Sequence, residues 1–185
     1  MITLRDFQNE GRNEIFRHLH NGQKEQLVVM ATGLGKTVLG SSVTTDFKRA
    51  LWLTHREELI GQSALALLAT RFGYENHGRI EEEDGYRQFL NNNITSSGLF
   101  SGSDSKLARE LLSEVGIVKA ERKDLKSRIV VASVQTMINR LHLFTGNEFD
   151  CIIVDEAHLA MAKSWMKVIN HFRPDLLLGL TATPT

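Results

Sequence analysis

Lys36 and Thr37 follow two glycines in "VVMATGLGKT", and Asp155 and Glu156 follow four apolar residues in "CIIVDEAH". Each pair suits one half of a polyphosphate site. Gly33 and Gly35 let the backbone turn tightly so that successive amides face inward, and the positive end of the following helix adds to them. Thr32 and Leu34 share that turn. Lys36 supplies a point charge for β- and γ-phosphates, and the Thr37 hydroxyl suits Mg²⁺. A phosphate loop of the form G-x-x-x-x-G-K-[ST] has glycine where this chain has Met30, so the pattern breaks at its first position. Asp155 would hold Mg²⁺, directly or through water, while Glu156 would orient and deprotonate an attacking water. An Asp-Glu pair after a strand is also a favourable helix start, and a glycine turn can precede a merely solvated lysine. Both motifs in one chain favour a nucleotide bound with Mg²⁺.

Those residues need elements to hold them. The apolar runs "LVVM" (27–30), "ALWLT", "VGIV", "RIVVAS", "CIIVD" and "LLLGLT" read as strands, and their consecutive apolar positions fit strands buried on both faces. Between them, "KTVLGSSVTTDFKR", "REELIGQSALALLATRF", "SVQTMINRLHLF" and "AKSWMKVINHF" carry apolar residues near helical spacing, and "TLRDFQNEGRNEIFRHLH" supplies a helix before the first strand. The expected fold is doubly wound α/β, a mainly parallel sheet with helices on both faces and its ligand site at the C-terminal strand ends. The acidic half should lie on a strand neighbouring the loop strand. Residues 74–113 offer no strand candidate but contain "EEED", "NNN", "SSG" and a short helix "SDSKLARELLSE"; they read as an insertion, either solvated or partner-contacting.

The 185 residues are 42% hydrophobic and 24% charged, with Lys plus Arg equal to Asp plus Glu at 22 each. One domain fits that length. A neutral total draws no polyanion by itself, so any such site is local. The N-terminus resembles no signal sequence and no apolar run reaches bilayer length, which points to a cytoplasmic protein without a membrane partner. Cys151, the single cysteine, reads as a buried strand residue.

Six motifs arrive in a recognised order: "LRDFQ" (4–8), "ATGLGKT" (31–37), "LTHREELIGQ" (53–62), "VVASVQTM" (130–137), "VDEAH" (154–158) and "LTATPT" (180–185). They resemble motifs Q, I, Ia, Ic, II and III of superfamily-two helicases, nearest to the group of type III restriction motor subunits, XPB-like and RadD-like helicases. In that group a methionine or leucine before the loop is common, so Met30 is a family variant. The resemblance implies a RecA-like ATP-binding domain over 1–185. It assigns adenine reading to Gln8 with Arg5 as a helper, and it makes His158, with Thr181 and Thr183, the link from the phosphate site to motif III. The bland alternative for Gln8 is an amphipathic helix start with Leu4 and Phe7 packed inward.

Nucleic-acid contact falls, by the same resemblance, to Arg56, Gln62, Ser133 and Thr136, which follow strands and suit sequence-independent phosphate binding. The motif departs from the "PTREL" form, with Glu57 where that form has arginine. The segment "KAERKDLKSR" (119–128) is basic but carries Glu121 and Asp124, so solvated surface is favoured over a DNA patch, with its five positive residues the alternative local positive site. The partners implied are nucleic acid, with DNA preferred over RNA and branched DNA among its forms, and a second RecA-like domain carrying an arginine finger. These 185 residues alone are therefore expected to bind ATP, hydrolyse it weakly and not unwind. A duplex translocase of a restriction or remodelling complex, an RNA helicase and a non-hydrolysing ATP switch remain alternatives.

Overall fold

The computed structural model describes residues 4–57, 59–72, 113–119, 122–123, 125–159 and 163–183. In chain order the elements are α1 (Asp6–His20), β1 (Glu25–Val29), α2 (Lys36–Thr44), β2 (Ala50–Thr54), α3 (Leu59–Phe72), β3 (Val115–Lys119), β4 (Arg122–Lys123), β5 (Ile129–Ser133), α4 (Val134–Ile138), β6 (Cys151–Asp155), α5 (Lys163–His171) and β7 (Leu176–Thr181). Single 3₁₀ turns occupy Leu141–Leu143 and Ala157–Leu159. One sheet runs in the order β1-β7-β6-β2-β5-β3-β4. All its pairings are parallel except β3 with β4.

Helices cover both faces, as a parallel sheet joined by crossovers requires. On one face Ile15 of α1, Leu39 and Val43 of α2 and Ile60 and Leu67 of α3 pack against Trp52, Val131, Ile153 and Leu178. On the other, Met137 of α4, Phe144, Phe149, and Trp165 and Val168 of α5 pack against Leu51, Leu53, Ile152 and Val154. The expected α/β architecture is therefore present. Helix α2 lies close to the sheet because Gly40 has no side chain: a Cβ there would come within 2.8 Å of Leu180 and 2.9 Å of Trp52. That approach carries Lys36 and Thr37 to the strand ends.

Three sequence expectations need correction. The "LVVM" strand was expected to be buried on both faces, but β1 starts at Glu25 and lies at the sheet edge, where Leu27 and Val29 are 54% and 49% exposed. A run of apolar residues does not distinguish an edge strand with one open face from a central one. "SVQTMINRLHLF" makes only the five-residue α4 before the chain turns at Asn139 and Arg140 into a 3₁₀ turn. Within "KAERKDLKSR", Arg122–Lys123 form β4, and the Arg128 guanidinium donates to the carbonyls of Thr45 and Phe47 at 2.8 and 3.0 Å. Arg128 thus ties the sheet's lower end together, as does Arg49, which bonds Ser127 O and pairs with Glu148.

The segment 74–112 and its "SDSKLARELLSE" helix lie outside the described residues. Among those described, no helix is long and apolar enough to cross a membrane. Cys151 is fully buried, and burial pushes its thiol well above the ordinary range, in keeping with a packing residue.

Candidate functional site

The loop between β1 and α2 is shaped by two left-handed glycines, Gly33 at φ +83° and Gly35 at φ +87°. L side chains rarely adopt that region, so the glycines are required by the turn itself. Gly35 also caps α2, which aims the helix's positive end at the loop. Thr32 and Leu34 are exposed, and Lys36 and Thr37 are half-buried at the first turn of α2. The Lys36 ammonium donates to the Met30 carbonyl at 3.2 Å. Met30 itself lies just past β1, with its side chain in the core and its N–H donating to Thr181 O at 2.9 Å. Its place in the pattern is thus filled by a core side chain, while its backbone ties the loop to β7.

Gln8 is the residue whose surroundings differ most from its expected task. It is 4% exposed, its Oε1 accepts from Arg5 N at 3.0 Å, and its Nε2 donates to Leu34 O at 3.0 Å. A Cβ on Gly35 would lie 2.5 Å from that Nε2. Gln8 therefore braces the phosphate loop from beneath, using one acceptor and one donor of its amide. One lone pair and one N–H hydrogen remain for a base edge. Arg5 stands exposed at the N-cap of α1. Leu4 is half-buried and Phe7 is 41% exposed, so the inward packing of both foreseen in the bland alternative does not occur.

The acidic half lies on β6, which is not the neighbour of β1: β7 runs between them. The intervening strand brings Thr181 into the site. His158 Nδ1 lies 3.0 Å from Thr181 Oγ1 and 3.4 Å from Glu156 Oε2. The Thr181 hydroxyl donates to Thr183 O at 3.0 Å and accepts from Thr183 N at 3.3 Å. With its one hydrogen engaged there, Thr181 can only accept from His158, and a carboxylate can only accept as well. Both neighbours select the Nδ1–H tautomer. Thr183 joins this cluster through its backbone, not its hydroxyl.

Glu156 holds φ +54°, the one non-glycine residue among those described with a left-handed backbone. Its N–H donates to Asp155 Oδ1 at 3.1 Å. Burial raises the Asp155 pKa and the Glu156 charge raises it further, against weaker opposition from the Glu156 N–H, Lys36 and the indole of Trp52. The Trp52 N–H is buried and faces that carboxylate without reaching hydrogen-bond geometry with any acceptor. Sequence reasoning missed Trp52, because a tryptophan in a buried strand carries no mark of which group its N–H faces. A half-buried carboxylate beside a second one is short of positive charge, which fits a site for a divalent cation. Mg²⁺ needs only one or two protein ligands besides phosphate and water, a number that Thr37 and Asp155 could supply.

The same burial has a stability consequence. A carboxyl whose folded pKa is raised costs stability while charged, and that cost is relieved as pH falls through the raised value. Asp155→Asn is expected to raise the urea midpoint of the ligand-free chain at neutral pH, with the gain shrinking as pH is lowered. Urea titrations at a series of pH values check this; a lower midpoint at neutral pH would contradict the burial account.

Arg56 is exposed in the turn after β2, where Thr54 Oγ1 donates to Arg56 O at 3.0 Å and fixes the turn. Ser133 is 2% exposed and serves as the N-cap of α4, accepting from Thr136 N at 3.2 Å and donating to Thr136 Oγ1 at 3.0 Å. The cap leaves the Thr136 hydroxyl hydrogen available, whereas Ser133 is enclosed. Gln62 falls within α3, and its side chain lies outside the described residues. Arg56 and Ser133–Thr136 follow adjacent, in-register strands, Thr54 pairing with Ser133.

A family model described as "Type III restriction enzyme, res subunit" matches residues 1–185. IRC3 of Saccharomyces cerevisiae, whose name describes an ATP-dependent helicase, is 26% identical over 198 residues, covering 98% of this chain and 23% of that protein. The chain thus spans about a quarter of that relative. The UvsW helicase of bacteriophage T4 superposes with a TM-score of 0.65 at 15% identity, over 98% of this chain and 53% of that one. The Sulfolobus solfataricus SWI2/SNF2 ATPase core, solved with double-stranded DNA, gives 0.63 at 15% identity, over 99% and 32%.

Proposed function

The chain belongs to the type III restriction enzyme res-subunit family, and we propose that it is the first RecA-like domain of an ATP-driven nucleic-acid helicase, acting most readily on DNA. One observation carries the reading. A row of contacts runs from Lys36 to Met30 O, from Met30 N to Thr181 O and from Thr181 Oγ1 to His158 by hydrogen bonds, and from His158 Nδ1 to Glu156 Oε2 by a 3.4 Å approach. It joins the phosphate loop, motif III and the candidate base in three adjacent strand ends.

In this proposal Gly33, Gly35 and the start of α2 present amides to the phosphates, and Lys36 exchanges the Met30 carbonyl for phosphate oxygens. Thr37 and Asp155 hold Mg²⁺, which when bound neutralises phosphate charge and lowers repulsion of the two carboxylates. Glu156 accepts the proton of the attacking water. A shift of Glu156 toward that water alters its contact with His158, and through Thr181 the change reaches the end of β7. Arg56 and the Thr136 hydroxyl contact backbone phosphates of the polynucleotide.

The family description and the likeness to a remodelling ATPase solved with duplex DNA favour a second reading, translocation along duplex without strand separation. Steady-state ATPase of the intact protein with single-stranded, duplex and branched DNA, and with RNA, tests both. Stimulation by single-stranded or branched DNA supports the helicase; stimulation by duplex alone supports the translocase. No stimulation by any polynucleotide overturns both.

A further inference from the structure

We propose that Trp52 is a positioning residue of the metal site: its indole N–H holds the Asp155 carboxylate when Mg²⁺ is bound, and so strengthens Mg²⁺ binding beside the nucleotide. This deepens the nucleotide reading above and rests on it. Among the described residues two buried side-chain atoms have no hydrogen-bond partner, Ser41 Oγ and Trp52 Nε1. The serine is easily explained, since a hydroxyl rotates and in a helix can turn to the carbonyl four residues back. An indole N–H points where its ring is packed. Trp52 is wholly buried, and its six-membered ring lies against α2 at Gly40, where a Cβ would come within 2.9 Å of Cη2 and 3.0 Å of Cζ3. Such a ring cannot turn to another partner, and a buried donor without one costs stability.

A tryptophan in this strand could serve only to fill the space under Gly40, but phenylalanine would fill most of it without burying a lone donor. Direction separates the two roles. Trp52 pairs with Ile153 in the parallel register of β2 and β6, and the two share the core face beneath α2. Side chains alternate along a strand, so Asp155, two residues beyond Ile153, stands on that same face at the strand end. The Trp52 N–H faces its carboxylate. Gly40, against which the ring packs, lies three residues past Thr37. One side chain thus touches the helix that carries one candidate Mg²⁺ ligand and faces the other. Asp155 has room for the bond: its Oδ1 accepts from Glu156 N at 3.1 Å, and a carboxylate offers about four acceptor positions. An ionised, metal-bound carboxylate is a strong acceptor, and ligating carboxylates are ordinarily held by such outer donors.

The test uses the ¹⁵N-labelled chain and a non-hydrolysable ATP analogue, with Mg²⁺ or with EDTA. The chain has two tryptophans, packed on opposite faces of the sheet, so the Trp165 indole resonance serves as an internal control. Adding Mg²⁺ to the analogue complex is expected to move the Trp52 indole proton downfield, as a new hydrogen bond does, whereas the analogue in EDTA leaves it in place. In Trp52→Phe, calorimetry should give the parent's analogue affinity in EDTA. The ratio of Mg²⁺ to EDTA affinities should fall roughly 10–100-fold, the usual loss when an outer partner of a metal ligand is removed. Equal loss with and without Mg²⁺ would make Trp52 a packing residue and overturn the proposal. If Mg²⁺ strengthens binding equally in both proteins and the indole proton stays where it is, the proposal fails while the nucleotide reading stands. If the parent does not bind the analogue, both fail. Should Trp52→Phe not fold, the indole shift in the parent decides alone.

Discussion

Lys36→Ala is expected to weaken Mg-ATP binding by on the order of a hundredfold or more, with the urea midpoint of the ligand-free chain close to that of the parent. Among the described residues the Lys36 ammonium makes one hydrogen bond in the ligand-free protein, to the Met30 carbonyl, and the loop residues 31–34 beside it are exposed. Removing the lysine therefore costs the fold little. The loss to the ligand is larger, because each hydrogen bond to a charged group is worth about 1.5–3 kcal/mol and Lys36 would reach two phosphates. Met30→Gly should behave in the opposite way. The Met30 side chain is part of the core beneath the sheet, so its removal is expected to cost roughly 2–5 kcal/mol of stability with a small effect on nucleotide affinity. Titration calorimetry and urea unfolding of the two variants separate these outcomes, and the reverse ranking would overturn the assignment of the loop.

Glu156→Gln in the intact protein is expected to retain Mg-ATP binding and lose turnover by roughly 10²–10⁴-fold, the usual contribution of a positioned general base. Glutamine keeps the shape of the side chain and an acceptor for His158 Nδ1–H, and it inherits the same left-handed backbone. The variant removes the basic oxygen and little else. Single-turnover hydrolysis with saturating nucleotide reads the effect. Turnover within a few-fold of the parent would transfer the base role elsewhere; loss of binding with turnover unchanged per bound nucleotide would make Glu156 a ligand-holding residue.

Much of this arrangement was legible in the sequence because the chemistry is local. Gly33, Gly35, Lys36 and Thr37 sit within one turn, and Asp155 and Glu156 are consecutive, so their placement needs only the strand before them. What depended on strand order was hidden. Nothing in "CIIVD" says that β7 lies between it and β1, and so the sequence placed Asp155 one strand too near. The same insertion of β7 is what sets Thr181 between Lys36 and Glu156. Gln8 shows a second limit: its amide suits adenine, but its place beneath the loop, against Gly35, depends on how α1 packs on α2. Ser133 shows a third, since a serine after a strand can meet a phosphate or cap a helix, and the close Thr136 N–H decides for the cap. The left-handed Glu156 leaves no trace in residue type at all.

The central claim is that Mg-ATP occupies the space between the β1–α2 loop and the end of β6. The most direct test is a titration of the ¹⁵N-labelled chain with Mg-ATP, followed by amide chemical shifts, in parent and Lys36→Ala proteins. The account predicts saturable shifts concentrated at Gly33–Thr37, Asp155–His158 and Thr181 in the parent, and none of these in Lys36→Ala at the same nucleotide concentration. Saturable shifts that spare the loop, or that persist unchanged in Lys36→Ala, would contradict it.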